Sequence, residues 1–255
     1  MNVLVAERHD RIVQLVNERG SIRVSELSDI FSVTEETIRR DLDALEGLGE
    51  LRRSHGGAVR INEHLETPYF EREIANIAEK KEIALEALKY VAPGDQIILD
   101  ASTTAFFMAA VMPNMPLKVL TNSLKAAMEL SAKDKVSVIV TGGSLSARSL
   151  SLVGPSAEQL LDKYHVNRAF VSCKGVHALR GLSESNELQA LVKKKMIETA
   201  DEVILLADSS KFGVQDFTTT CGLERIGLII TNAAADASLV QPFEQAGVKV
   251  IRAGG

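Results

Sequence analysis

Between residues 96 and 252, short apolar runs alternate with helical stretches, and that alternation constrains the fold of this 255-residue chain more than anything else in it. The runs are Gln96 to Leu99, Lys118 to Thr121, Val136 to Val140, Arg168 to Ser172, Glu202 to Ala207, Leu228 to Thr231 and Val248 to Arg252. Helical patterns fill the gaps at roughly 104–112, 123–132, 155–163, 186–200 and 236–246. A strand with no polar side has both faces covered. Such strands, separated by helices, predict an α/β domain built on a mainly parallel sheet.

The first sixty residues follow a different pattern. Ile12, Val13, Leu15 and Val16 mark a helix from about Glu7 to Arg19, stopped by Gly20. Val24, Leu27 and Ile30 mark a second, with Ser25 near its cap, and Ser32 and Val33 form a turn. Thr34 opens a third helix whose inner face is Ile38, Leu42, Leu45 and Leu48. Two short strands follow around Gly56-Gly57. Helix, turn, helix and basic hairpin is the order of a winged helix-turn-helix, whose second helix enters the major groove.

Thr37, Arg39 and Arg40 are the exposed early residues of that helix: arginine takes a guanine edge with two hydrogen bonds, and threonine packs on a thymine methyl. Thr34, Arg52, Arg53 and His55 complete the expected DNA surface. An Arg-Arg pair alone reads as an ordinary solvated face; the ordered elements around it point to double-stranded DNA. Bulk charge does not help. The chain carries a net charge of −5, and its first sixty residues hold nine arginines against eleven carboxylates. Binding therefore has to come from arginines segregated on one face.

Residues 61–70 are polar and contain Pro68, and a long helix is predicted from near Thr67 to Lys89, ended at Pro93-Gly94. The expected domains are 1–60 for DNA, 61–74 as linker and start of a connecting helix, and 75–255 for sensing and oligomerisation. In the larger domain, polar loops follow the strand ends. They are D-A-S-T-T at 100–104, T-N-S at 121–123, T-G-G-S at 141–144 with Arg148 behind it, S-C-K-G at 172–175, and D-S-S-K-F-G at 208–213. Taken singly, Ser102 or Thr103 caps a helix and each lysine is a surface charge. Together, at the carboxyl ends of parallel strands, they describe one crevice suited to a phosphorylated polyol. Its expected lining is Asp100, Ser102, Thr103, Thr104, Asn122, Gly142, Gly143, Arg148, Lys174, Gly175, Asp208 and Lys211. Lys174 and Lys211 supply positive charge.

No Cys/His spacing suggests zinc, and no catalytic constellation or cofactor motif is present. The N-terminus turns charged after six residues, too early for a signal peptide, and no run of eighteen apolar residues exists. Cys173 and Cys221 are expected to be reduced thiols in a cytoplasmic protein.

R-I-V-Q-L-V at 11–16, V-S-E-L at 24–27, V-T-E-E-T-I-R-R-D-L at 33–42 and L-R-R-S-H-G-G-A at 51–58 resemble the DeoR family of bacterial transcription regulators. D-A-S-T-T, T-N-S, G-G and D-S-S-K-F-G resemble that family's C-terminal sensor domain, similar in fold to ribose-5-phosphate isomerase and the CoA transferases. The resemblance implies a homo-oligomer, dimeric or higher, in which a sugar phosphate or related metabolite alters operator affinity. It also implies repression of a carbohydrate-metabolism operon, the family's usual mode. Gln189 stands where many relatives carry Glu, with Glu184 and Glu187 nearby. The alternative is a sugar-phosphate isomerase-like enzyme with a DNA-binding appendage, which needs a general base over the sugar carbon.

Overall fold

Helix α1 (Val5–Arg19), strand β1 (Ser21–Arg23), helices α2 (Val24–Phe31) and α3 (Glu35–Gly47), and strands β2 (Arg52–Ser54) and β3 (Gly57–Val59) make up the first of two units, 1–65 and 66–255. The structure is a computed structural model and describes residues 5–19, 21–48, 50–54, 56–59 and 66–254, with Arg52, Ser54 and Val59 described by backbone alone.

The helical spacing read from the sequence buries Ile12, Leu15, Val16, Leu27, Ile38, Leu42 and Leu45 in one core. Two details differ from the expectation. Leu48 lies past the end of α3 and is 72% exposed. Ser25 is inside α2, whose N-cap is Arg23 with no side-chain hydrogen bond. The unpredicted strand β1 pairs with β3 to give an antiparallel sheet of order β1-β3-β2. Gly57 permits this pairing: a Cβ there would sit 2.2 Å from the Ile22 carbonyl oxygen.

A buried ion pair ties α1 to α3. Arg8 Nε donates to Asp41 Oδ2 at 2.6 Å and its Nη2 to Oδ1 at 3.1 Å, with His9 Nε2 3.0 Å from Oδ1. Burial pushes the Asp41 carboxyl up, but Arg8 and His9 outweigh it and hold its pKa below the ordinary carboxylate value. A depressed folded pKa stabilises above the unfolded value, about 4, and that contribution is lost as pH falls through the lower folded one. Asp41→Asn is therefore expected to lower the unit's stability at neutral pH by about 1.5–3 kcal/mol and to remove this acid dependence. Urea unfolding followed by amide exchange in α1 and α3, at pH 7 and pH 3, checks it; equal acid sensitivity in both proteins contradicts it.

The second unit opens with α4 (Tyr69–Ile74), α5 (Ile77–Leu88), β4 (Gln96–Leu99), α6 (Thr103–Val111), β5 (Leu117–Thr121), α7 (Leu124–Ser131) and β6 (Val136–Val140). It continues with β7 (Ser144–Ser146), β8 (Ser151–Val153), α8 (Pro155–Leu161), β9 (Val166–Val171), β10 (Gly175–His177), β11 (Gly181–Glu184), α9 (Glu187–Glu198) and β12 (Ala200–Leu206). The last elements are β13 (Thr218–Cys221), β14 (Leu228–Thr231), α10 (Ala237–Gln245) and β15 (Lys249–Arg252). Seven of the strands form one parallel sheet of order β15-β14-β12-β9-β4-β5-β6.

Alternate residues of each strand serve opposite faces. Ile97 and Leu99 pack with Ile83, Ala105, Met108 and Leu130 of α5, α6 and α7, whereas Ile98 packs with Ala157, Val192, Met196 and Phe243 of α8, α9 and α10. Not foreseen were the antiparallel sheet β10-β11-β13 and the β7-β8 pair. The helix expected from Thr67 to Lys89 is two helices, broken where Ala75 is extended and Asn76 is left-handed (φ 51°). No described helix is long and apolar enough to cross a membrane.

Candidate functional site

Two regions carry chemistry, one in each unit. In the first, Thr34 caps α3 by accepting from Thr37 N–H at 3.2 Å, so its hydroxyl is already engaged. The next turn presents Arg39 and Arg40 to solvent. Arg39 pairs with Glu35 at 2.6 Å, and Arg40, the more exposed, with Glu36 at 3.4 Å. Arg53 donates its backbone N–H to Glu46 and sets its guanidinium 3.4 Å from Asp43. Of the remaining expected contacts, His55 and the side chain of Arg52 lie outside the described residues.

In the second unit the order of strands reverses between β4 and β9, and the loops beyond their carboxyl ends part to leave a crevice. Asp100 bridges the gap: Oδ2 accepts from Ser172 N–H at 2.9 Å and Oδ1 from Ser102 N–H at 3.1 Å. Ser102 caps α6 by accepting from Ala105 N–H at 3.1 Å. That leaves the N–H groups of Thr103 and Thr104, which have no acceptor within the helix, at its positive end. Lys193 of α9 closes the floor, 3.1 Å from Asp100 Oδ2 and hydrogen-bonded to Glu184 and to the Ser172 carbonyl. Burial disfavours its charge, but Glu184 and Asp100 outweigh that and raise its pKa above the ordinary lysine value.

These residues enclose a cleft of about 250 Å³, just under the roughly 300–1,000 Å³ usual for small-molecule sites. Its walls include Arg72, Lys80, Lys174 and Lys211, with Asn122 on one side. Lys80 donates to the carbonyls of Arg72 and Ala75, capping α4, and burial pushes its pKa down to about 8. Arg72 Nε and Asn122 Oδ1 are buried with no partner among the described residues. The cleft thus offers a cationic, anion-accepting wall and an unmet acceptor for a hydroxyl.

The sequence on either side of these features now has a counterpart. The DeoR-like helix-turn-helix domain matches residues 8–64, and the DeoR C terminal sensor domain matches residues 75–233. The chain belongs to the DeoR family of transcriptional regulators. It is 57% identical to an uncharacterized HTH-type transcriptional regulator, YulB, of Bacillus subtilis (strain 168), over 97% of this chain and 96% of that one. It is 38% identical to the L-fucose operon activator of Haemophilus influenzae, over 93% and 96%. A ribose 5-phosphate isomerase of Methanocaldococcus jannaschii overlaps 54% of this chain and 55% of its own at 22% identity, with a TM-score of 0.41, too loosely to speak to the site. As a DeoR-family member the chain is a DNA-binding regulator of transcription, not an enzyme.

Within this DeoR-type unit the structure gathers Asp100, Ser102, Thr103, Thr104, Asn122, Lys174 and Lys211 around the cleft, and leaves five expected residues outside its lining. Gly142 and Gly143 form a left-handed turn, and a Cβ at Gly143 would meet the Val153 carbonyl oxygen at 2.6 Å, so the turn packs on β8. Gly175 is required by Val214, whose carbonyl oxygen would lie 2.5 Å from a Cβ. Arg148 donates to the Glu66 carbonyl. Asp208 accepts from Ser210 N–H at 3.0 Å and from Asn76 Nδ2 at 3.2 Å.

Sequence reading missed Glu66, Arg72, Lys80 and Lys193. Lys193 carried a usable signal: with Gln189 and Met196 it falls at i, i+4 and i+7, one helix face. Gln189 donates to Ser149 and Ser151 at 2.6 and 2.7 Å, and Glu184 is held by Lys193, while Glu187 is exposed.

Proposed function

We propose that this regulator binds a phosphorylated sugar or related metabolite in the cleft at Asp100, and that occupancy lowers its affinity for an operator it otherwise represses. The reading is carried by one observation: the free N–H groups of α6, Arg72, Lys80, Lys174 and Lys211 surround a crevice whose polar side holds Asn122. Helix N-terminus and cations suit a phosphate, and Asn122 with Asp100 suits hydroxyls. Thr37, Arg39, Arg40, Arg52 and Arg53 are the proposed DNA contacts. Paired half-sites require at least a dimer. Repression follows the family's usual mode; a relative named as an activator of the L-fucose operon uses the same scaffold, so an operon reporter must read the sign.

The test is a thermal-shift screen of pentose and hexose phosphates against their parent sugars. At one hundred times Kd a ligand stabilises by about 2.7 kcal/mol, roughly 5–10 °C for a unit of this size. The phosphorylated members should give this shift, and Arg72→Ala should abolish it. An equal shift from the parent sugars, or no shift from any phosphate, defeats the reading.

A further inference from the structure

The sensing unit begins at Glu66, and this residue does not merely lead into the cleft. Its carboxyl lines it, only 11% exposed, with Oε1 3.4 Å from Arg72 Nη2. Its backbone carbonyl is held by Arg148, whose own carbonyl accepts from Tyr69 N–H at 2.7 Å. We propose that Glu66 is a built-in competitor: its carboxylate occupies the anion wall of the empty cleft, and an anionic effector displaces it from Arg72. The proposal rests on reading the cleft as an anion site.

The contacts that hold Glu66 in the cleft are replaceable. The hydrogen bond at 3.4 Å to Arg72 is long for a charge-assisted contact, normally about 2.7–2.9 Å, and Arg72 Nε next to it has no hydrogen-bond partner among the described residues. Burial raises the Glu66 pKa and Arg72 opposes the shift without cancelling it, so the contact to Arg72 only partly offsets the cost of the buried charge. A phosphate reaching Arg72 and Lys80 brings more charge and three acceptor oxygens, and at the same time repels the carboxylate. Glu66 is also the residue through which the chain passes from the DNA-binding unit into the sensing unit. Its release is therefore a local event with a covalent route to the output. Coupling of this kind is reciprocal: whatever the effector does to operator binding, operator binding does to the effector.

The experiment uses the full chain with inorganic phosphate as probe. Glu66→Gln keeps the side chain's size and removes the competing charge. It should tighten phosphate binding about five- to tenfold and, without phosphate, weaken operator binding part of the way to the value of the phosphate-saturated unmodified protein. In the unmodified protein, phosphate should speed amide exchange in residues 66–72 while slowing it in 101–105. This second measurement stands even if the variant does not fold. Unchanged or weaker phosphate binding by Glu66→Gln, or protection of 66–72 on binding, overturns the competitor while an Arg72-dependent phosphate affinity preserves the anion site. No phosphate binding by the unmodified chain overturns both.

Discussion

Lys193→Met is expected to destabilise the sensing unit by about 3–5 kcal/mol, the usual cost of removing one partner from a buried ion pair. Lys193 is 8% exposed and sits between the carboxylates of Asp100 and Glu184. Methionine fills similar space, so the loss comes from two acids left buried beside each other without a cation. Denaturant unfolding at pH 7 measures it. A loss under about 1 kcal/mol would mean that the floor of the cleft is not the compact charge cluster described.

The double substitution Arg39→Ala, Arg40→Ala should reduce operator affinity by on the order of 100-fold or more, since each good base contact is worth about 1–3 kcal/mol. Their present partners do not hold them back. Exposed ion pairs such as those to Glu35 and Glu36 contribute about 0–1 kcal/mol, so the guanidiniums can exchange carboxylate for phosphate or base at little cost. For the same reason the variant should fold as before and respond unchanged to a metabolite in thermal shift. Electrophoretic mobility or anisotropy with an operator duplex measures the first; the thermal response measures the second. Loss of both would make the helix face structural.

The parallel sheet was legible because its strands are apolar on both faces, a pattern that few other arrangements satisfy. The short antiparallel strands were not, because β8 and β11 bury serines at Ser151 and Ser183, where an apolar side would have signalled a strand. The helix break at Asn76 was hidden as well. It uses no glycine or proline and is held by Asp208 and Ser210, residues more than a hundred positions away. The same distinction runs through the site. Asp100, Ser102 and Thr103 were readable because a strand, a loop and a helix N-terminus are consecutive in the chain. Arg72, Lys80 and Lys193 come from helices elsewhere, and a lysine in K-K-K or an arginine in F-E-R-E looks like any solvated charge. Leu48 failed for the opposite reason: its spacing was right, but α3 ends one residue before it.

The central claim is that the crevice at Asp100 controls the arginine face of α3. Its most direct test is a titration of an operator duplex with the full chain, followed by anisotropy, with and without a saturating sugar phosphate identified by thermal shift. The account predicts at least a tenfold loss of operator affinity with the metabolite, absent in Arg72→Ala, whose metabolite-free operator affinity should be lowered to about that of Glu66→Gln. An operator affinity unchanged by every phosphate that stabilises the protein would contradict it.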